Sequence, residues 1–267
     1  MTIRSIADRA KAGEPLRDVL IIDCHTHMGR WPNFHIPHGG NAESMLQAMD
    51  TVGMDIACVT AMASVGPDYR YGNDLVMDAL RRYPERFVGY VTINPHYPDG
   101  VKAELDRCFA VPGMKGIKVH QSFHGVTIDY KTYHPAYETA QERGCPVLIH
   151  VWGHADVAAA SRIAAHYPGA QIIMAHAGAE VRAMEEAIAV VNRFDNAYVD
   201  LALSLAYEGN VEWFVREMGA HKILFGTDMP FFDPRPTFGR VALADIREEE
   251  KRAIFGLNMK RLLKLPE

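Results

Sequence analysis

A chain of 267 residues, 48% hydrophobic and 23% charged, can bury one large core without disulfide staples. Its formal net charge of -5 argues against a phosphate-backbone partner, and no Lys/Arg-rich run offsets it. Four scattered cysteines, Cys24, Cys58, Cys108 and Cys145, include no CxxC pair, so neither a thiolate zinc site nor a disulfide framework is expected.

The opening segment, MTIRSIADRAKAGEPLRD, has no apolar stretch of signal-peptide type. No apolar run reaches the roughly 18 residues that span a bilayer. The expectation is a cytoplasmic protein with no membrane association.

The first predicted strand is VLIID at 19–23, followed by IACVTAM at 56–62. A helix is expected at 73–83, where Leu75, Val76, Ala79, Leu80 and Tyr83 share a face. FVGYVTI at 87–93, GIKVH at 116–120, PVLIH at 146–150 and QIIMAH at 171–176 continue the strands. A second amphipathic helix covers 179–194, then come strands AYVDLAL at 197–203 and KILFGTD at 222–228. The segment 247–264 closes the chain as a helix, with Asn258 a candidate cap.

The strands are short and nearly continuous in apolar residues, the mark of parallel strands buried on both faces. Eight βα units in about 250 residues predict an α/β chain folded as one (β/α)8 TIM barrel over residues 1–267. An open doubly wound sheet would show five or six strands, and the first turn lacks GxGxxG.

Polar residues recur where these strands end. His25 and His27 follow the first, His120 closes the fourth, His150 the fifth, His176 the sixth and Asp228 the eighth. In a parallel barrel all these ends converge on one mouth. Residues i and i+2 of a strand point the same way, so His25 and His27 can both face the axis. By the same alternation Asp23 is expected inward and Cys24 outward. Imidazoles from His25, His27 and His150 with the Asp228 carboxylate form a mixed N/O donor set suited to Zn, Mn, Fe or Co. His35, His38 and His96 are further candidates to line the mouth.

The segments IDCHTHMG, GIKVH, LIHVWG, IIMAHAG, FGTDMPF and GLNMKRLL span residues 21–263. In this order they resemble the amidohydrolase superfamily. The likeness is specifically to the amidohydrolase-related branch, which includes aminocarboxymuconate-semialdehyde decarboxylase, resorcylate decarboxylase and pyrone-dicarboxylate lactonase. The resemblance implies a metal-dependent (β/α)8 barrel with a divalent ion at its mouth. It implies His25, His27 and His150 as ligands, His176 beside the metal or on a second ion, and Asp228 as ligand and proton acceptor. Lys118 is open between a bridging carboxylated lysine, which would bring a second metal, an ion pair with Asp228, and contact with a substrate carboxylate. One ion is favoured, with zinc first.

The main expectation is hydrolysis of an ester, lactone or amide of a small carboxylated substrate through a metal-activated water. Asp228 and His176 would be its catalytic groups. The alternative is non-oxidative decarboxylation of an aromatic or dienoic acid at the same site, and a non-catalytic binding barrel is a third reading. Lys118, His120, Trp152 and Arg235 are candidate substrate contacts. Arg30, Arg70 and Arg240 are further anion candidates, and Trp31, Phe231 and Phe232 candidates for an apolar wall. The expected partner is a small, anionic molecule; a homodimer is compatible with the external helices.

Overall fold

The computed structural model describes residues 4–31, 35–202 and 207–266. Eight parallel strands follow one another in chain order: β1 (Ile22–Met28), β2 (Ile56–Ala61), β3 (Phe87–Thr92), β4 (Met114–Val119), β5 (Pro146–Ile149), β6 (Gln171–Met174), β7 (Ala197–Asp200) and β8 (Ile223–Leu224). Each strand pairs with the next. The backbone beyond β8 then runs along β1. The Cys24 N–H donates to Phe225 O (2.9 Å), that of Asp228 to His25 O (2.9 Å) and that of His27 to Met229 O (2.7 Å). The sheet closes there, and the fold is the (β/α)8 barrel expected.

Alternation divides the strand residues between two apolar layers. Val59, Val91, Ile117, Val147, Ile172 and Val199 pack outward in the core shared with the helices. Cys24, Cys58, Tyr90, Leu148, Ile173 and Leu224 fill the barrel interior. Gly116 makes room for this plug, because a Cβ there would stand 2.5 Å from the Tyr90 ring. With both faces buried, most of the strands are dominated by apolar residues. The plug is the floor on which the polar strand ends rest.

Several boundaries differ from expectation. β1 extends to Met28, so His25 and His27 lie within the strand, not past its end. Its pairing with β2 shifts register between Asp23 and Thr26. That shift defeats simple alternation: Cys24 packs inside the barrel, not outside. Asp23 instead faces the β1–β8 seam, where its Oδ1 accepts from the backbone N–H groups of His25 (2.9 Å) and Thr227 (3.1 Å).

β6 stops at Met174, and His176, Ala177 and Ala179 adopt left-handed backbone with φ of 59°, 49° and 64°. β7 and β8 are shorter than their apolar runs. The helices Tyr69–Arg82 and Val181–Arg193 match expectation to within a few residues. The closing helix is divided by a wide turn at Ala253–Leu257. Asn258 does not cap it; its amide donates to Ala220 O (2.8 Å) and Ile223 O (2.9 Å) at the start of β8. Among the described residues no helix is long and apolar enough to cross a membrane.

Candidate active site and metal centre

The barrel brings His25 and His27 of β1 against Asp228, from the turn after β8. His27 Nε2 lies 3.0 Å and His25 Nε2 3.5 Å from Asp228 Oδ1, and the two Nε2 atoms are 3.2 Å apart. One donor atom from each residue falls within 4.8 Å of the others, and all three residues are buried. His25 is oriented from behind. Its Nδ1 donates to Asp200 Oδ2 at 2.9 Å, which leaves Nε2 as the lone-pair atom facing the centre. Two imidazole nitrogens and a carboxylate oxygen converging at these distances fit a divalent cation.

Burial is the largest influence on these groups. It holds His25 well below the ordinary imidazole value, and Lys118 nearby pushes the same way. His27 is lowered by burial, partly offset by its bond to Asp228. Burial alone would raise Asp228, but His25 and His27 outweigh it and hold the acid well below the usual carboxylate range. Neutral imidazoles beside an ionised carboxylate are the protonation states that bind metal. Lys118 Nζ donates to His25 Nε2 at 3.0 Å, and burial pushes this lysine down to about 8.

His176 stands beside this centre, its ring 5.0 Å from that of His25. Its backbone N–H donates to Asp200 Oδ1 (2.9 Å), and its Nδ1 donates to Ala202 O (3.3 Å). With Nδ1 so used, Nε2 accepts from His150 Nδ1 at 3.2 Å. His150 is pushed down to about 2 by burial and by His176. Its ring stacks on His120, with centroids 4.2 Å apart.

Above these groups opens a cavity of about 480 Å3, lined by His27, His120, His150, His176 and Asp228 and by Trp31, Met62, Phe123, Trp152, Phe231 and Phe232. Phe231 stacks on His27 with ring centroids 5.0 Å apart, and Trp31 meets Phe123 edge-on at 4.7 Å. The volume suits a small organic molecule, and aromatic faces suit a flat one.

The amidohydrolase family model matches residues 22–265. The chain belongs to the amidohydrolase family. It is 23% identical over 256 residues to gamma-resorcylate decarboxylase of Rhodococcus jostii (strain RHA1), covering 73% of this chain and 76% of that one. It is 28% identical over 83 residues to 2-amino-3-carboxymuconate-6-semialdehyde decarboxylase of Dictyostelium discoideum, a match to 31% of this chain and only 23% of that one. Among solved structures, 5-carboxyvanillate decarboxylase of Novosphingobium aromaticivorans, in complex with manganese and 4-hydroxy-3-methoxy-5-nitrobenzoic acid, superposes with a TM-score of 0.74 at 18% identity. That likeness covers 93% of this chain and 97% of that one, and at this identity it is a likeness of fold.

In this amidohydrolase the expected site residues separate into groups. His25, His27, His150, His176, Asp228, His120 and Trp152 gather at the mouth as expected. His150 stands outside the His25–His27–Asp228 group and touches His176 instead. Lys118 is fully buried beneath His25 and does not line the cavity, so direct contact with a substrate there is not what the structure places. Arg235 is also not at the cavity. It begins the helix Pro234–Leu243, pairs with Asp233 and is 68% exposed, because that helix turns it outward.

Asp200, at the end of β7, is a candidate functional residue that the motifs do not flag. It is fully buried and joins His25 to the backbone of His176 and Ala202. Its donor atoms also form a second close group with His25 and His176.

Proposed function

We propose that this amidohydrolase is a metal-dependent, non-oxidative decarboxylase of a small aromatic or dienoic carboxylic acid. The observation that carries the reading is the placement of the His25–His27–Asp228 donor set at the floor of an aromatic chamber sized for one ring. The names of both curated relatives support decarboxylation, the alternative expectation, over hydrolysis. Asp228 would serve as base for either chemistry, so the donor set alone does not choose between them.

In this reading His25, His27 and Asp228 hold one divalent ion, with His150 and His176 facing the substrate side. Manganese joins zinc as a leading candidate on the strength of the manganese-containing neighbour. When bound, such a cation supplies Lewis acidity that polarises and orients substrate oxygens. Loss of CO2 requires one proton delivered to the carbon that carried it. Asp228 and His176 face that space. Asp228 is ionised in the free site, so it must take up the proton it then donates. Trp31, Phe123 and Phe231 hold the ring flat and keep water from it.

The test is a panel of hydroxybenzoic acids, dienoic acids and lactones incubated with protein loaded with manganese or zinc. CO2 release from a ring or dienoic acid, with lactones untouched, is the expected result. Acid release from a lactone without CO2 from any member would refute the proposal in favour of hydrolysis.

A further inference from the structure

The cavity is polar at one end and apolar along its wall. The histidines and Asp228 sit at or near the strand ends, whereas Trp31, Phe231 and Phe232 lie on the loops above, Phe123 in the short helix Gln121–His124 after β4 and Met62 just past β2. The side chains best able to receive an anion are engaged elsewhere. Arg70 pairs with Glu104 at 3.2 Å, and Arg235 pairs with Asp233. Arg240 donates to Leu201 O (3.2 Å) and Asn210 Oδ1 (3.1 Å). Arg30 lines a different cavity, beside the helices Ala42–Val52 and Tyr69–Arg82. Lys118 is spent on His25, below the floor. Among the described residues lining the active-site cavity none is Lys or Arg, and the sequence has neither at 32–34 or 203–206.

Resting on the decarboxylase reading, we propose that the substrate carries a single carboxylate, set against His25, His27 and Asp228, and that a second carboxylate on the same ring is rejected by the wall of Trp31, Phe123, Phe231 and Phe232. A carboxylate pressed on that wall loses water and gains no cation in return. Aromatic faces carry the negative side of the ring quadrupole and repel it further. The selected class is therefore a monocarboxylic ring or dienoate with uncharged substituents.

Binding and turnover test this separately. Calorimetry on manganese-loaded protein compares salicylate, 5-carbamoylsalicylate and 4-hydroxyisophthalate, which place hydrogen, a neutral amide or a second carboxylate at one ring position. The dicarboxylate is expected to bind roughly 30-fold or more weaker than the amide. Phe232→Arg puts a cation on the wall at a position 43% exposed, where the fold tolerates it. It should narrow that gap roughly tenfold. Equal binding of dicarboxylate and amide overturns the inference, as does failure of all three to bind or an unchanged gap in Phe232→Arg. CO2 is measured on the same samples over a wider panel of acids. Discrimination in binding without CO2 from any acid sinks the decarboxylase reading alone, and CO2 release without discrimination sinks this inference alone.

Discussion

Asp200→Asn separates the electronic role of the β7 carboxylate from its structural one. In the native site Oδ1 accepts the backbone N–H groups of His176 and Ala202, each at 2.9 Å, while Oδ2 accepts His25 Nδ1 at 2.9 Å. Asparagine keeps one oxygen for the two backbone donors. Its NH2 group then faces His25 Nδ1 and can only donate. His25 must give up the Nδ1 proton and carry it on Nε2, the atom that faces His27 and Asp228. The lone pair that a cation needs is lost unless the wrong tautomer is overcome. Loss of such a supporting bond costs about 10–100-fold in metal affinity, or about 1.4–2.7 kcal/mol. The metal-free protein should melt nearly where the native chain does, since both backbone bonds survive. Asp200→Ala provides the contrast. It strands two buried N–H groups at about 1–3 kcal/mol each and lowers stability as well. The assay is competition of manganese or zinc against a chromophoric chelator, paired with thermal melts of the metal-free chains. Native metal affinity in Asp200→Asn would refute the tautomer argument.

Asp228→Asn removes one of the three convergent donors and the ionised acid together. We expect CO2 release to fall about 100-fold or more while circular dichroism stays native. Near-normal turnover would remove Asp228 from the chemistry. Metal affinity should be level from pH 7 to about 6, below the range near 8 in which Lys118, bonded to His25 Nε2, takes up its proton. Burial lowers His25 and His27, so both remain neutral as the pH falls through the ordinary imidazole value of about 6.5, and protons do not compete for the ligand atoms. Up to a tenfold loss of affinity per pH unit per histidine just below 6.5 would mean that both hold ordinary values. Arg235→Ala should leave kcat/KM within about twofold and stability within about 0.5 kcal/mol, because its ion pair with Asp233 is exposed. A large loss of activity would return Arg235 to the substrate site.

The barrel was legible because strands buried on both faces must be apolar at successive positions, as in VLIID and QIIM. The ends of β1 and β6 were not. The segment CHTHM reads as polar, yet every residue of it is buried at the barrel mouth. Alternation alone aimed Cys24 outward because a register shift leaves no trace in residue type. Asp200 was visible in principle, since it ends β7 much as Asp228 follows β8. An aspartate after an apolar run is ordinary turn chemistry, however, and its partner His25 lies 175 residues away in sequence. Arg235 misled for the opposite reason. A guanidinium suits an anionic substrate in residue type alone, and the helix beginning at Pro234 carries this one off the mouth.

The seam that closes the barrel and the metal centre are built from one set of residues. β8 has only two regular residues, so closure depends on the backbone that follows, and that backbone bonds to Cys24, His25 and His27. Asp228 donates its N–H to His25 O while offering its carboxylate to the same two histidines. Its φ of 63° is left-handed, a strained state for a residue with a Cβ, costing of order 1–3 kcal/mol. His176, at φ 59°, bears the same strain on the other side of the centre, held by Asp200. Asp23 completes the seam by accepting from Thr227, and burial pushes its acid up to about 8, a further cost of the same join. A cation bound by His25, His27 and Asp228 bridges the two sides of this seam. Its binding energy therefore acts on the seam that closes the barrel, where Asp228 and His176 are strained to reach the centre.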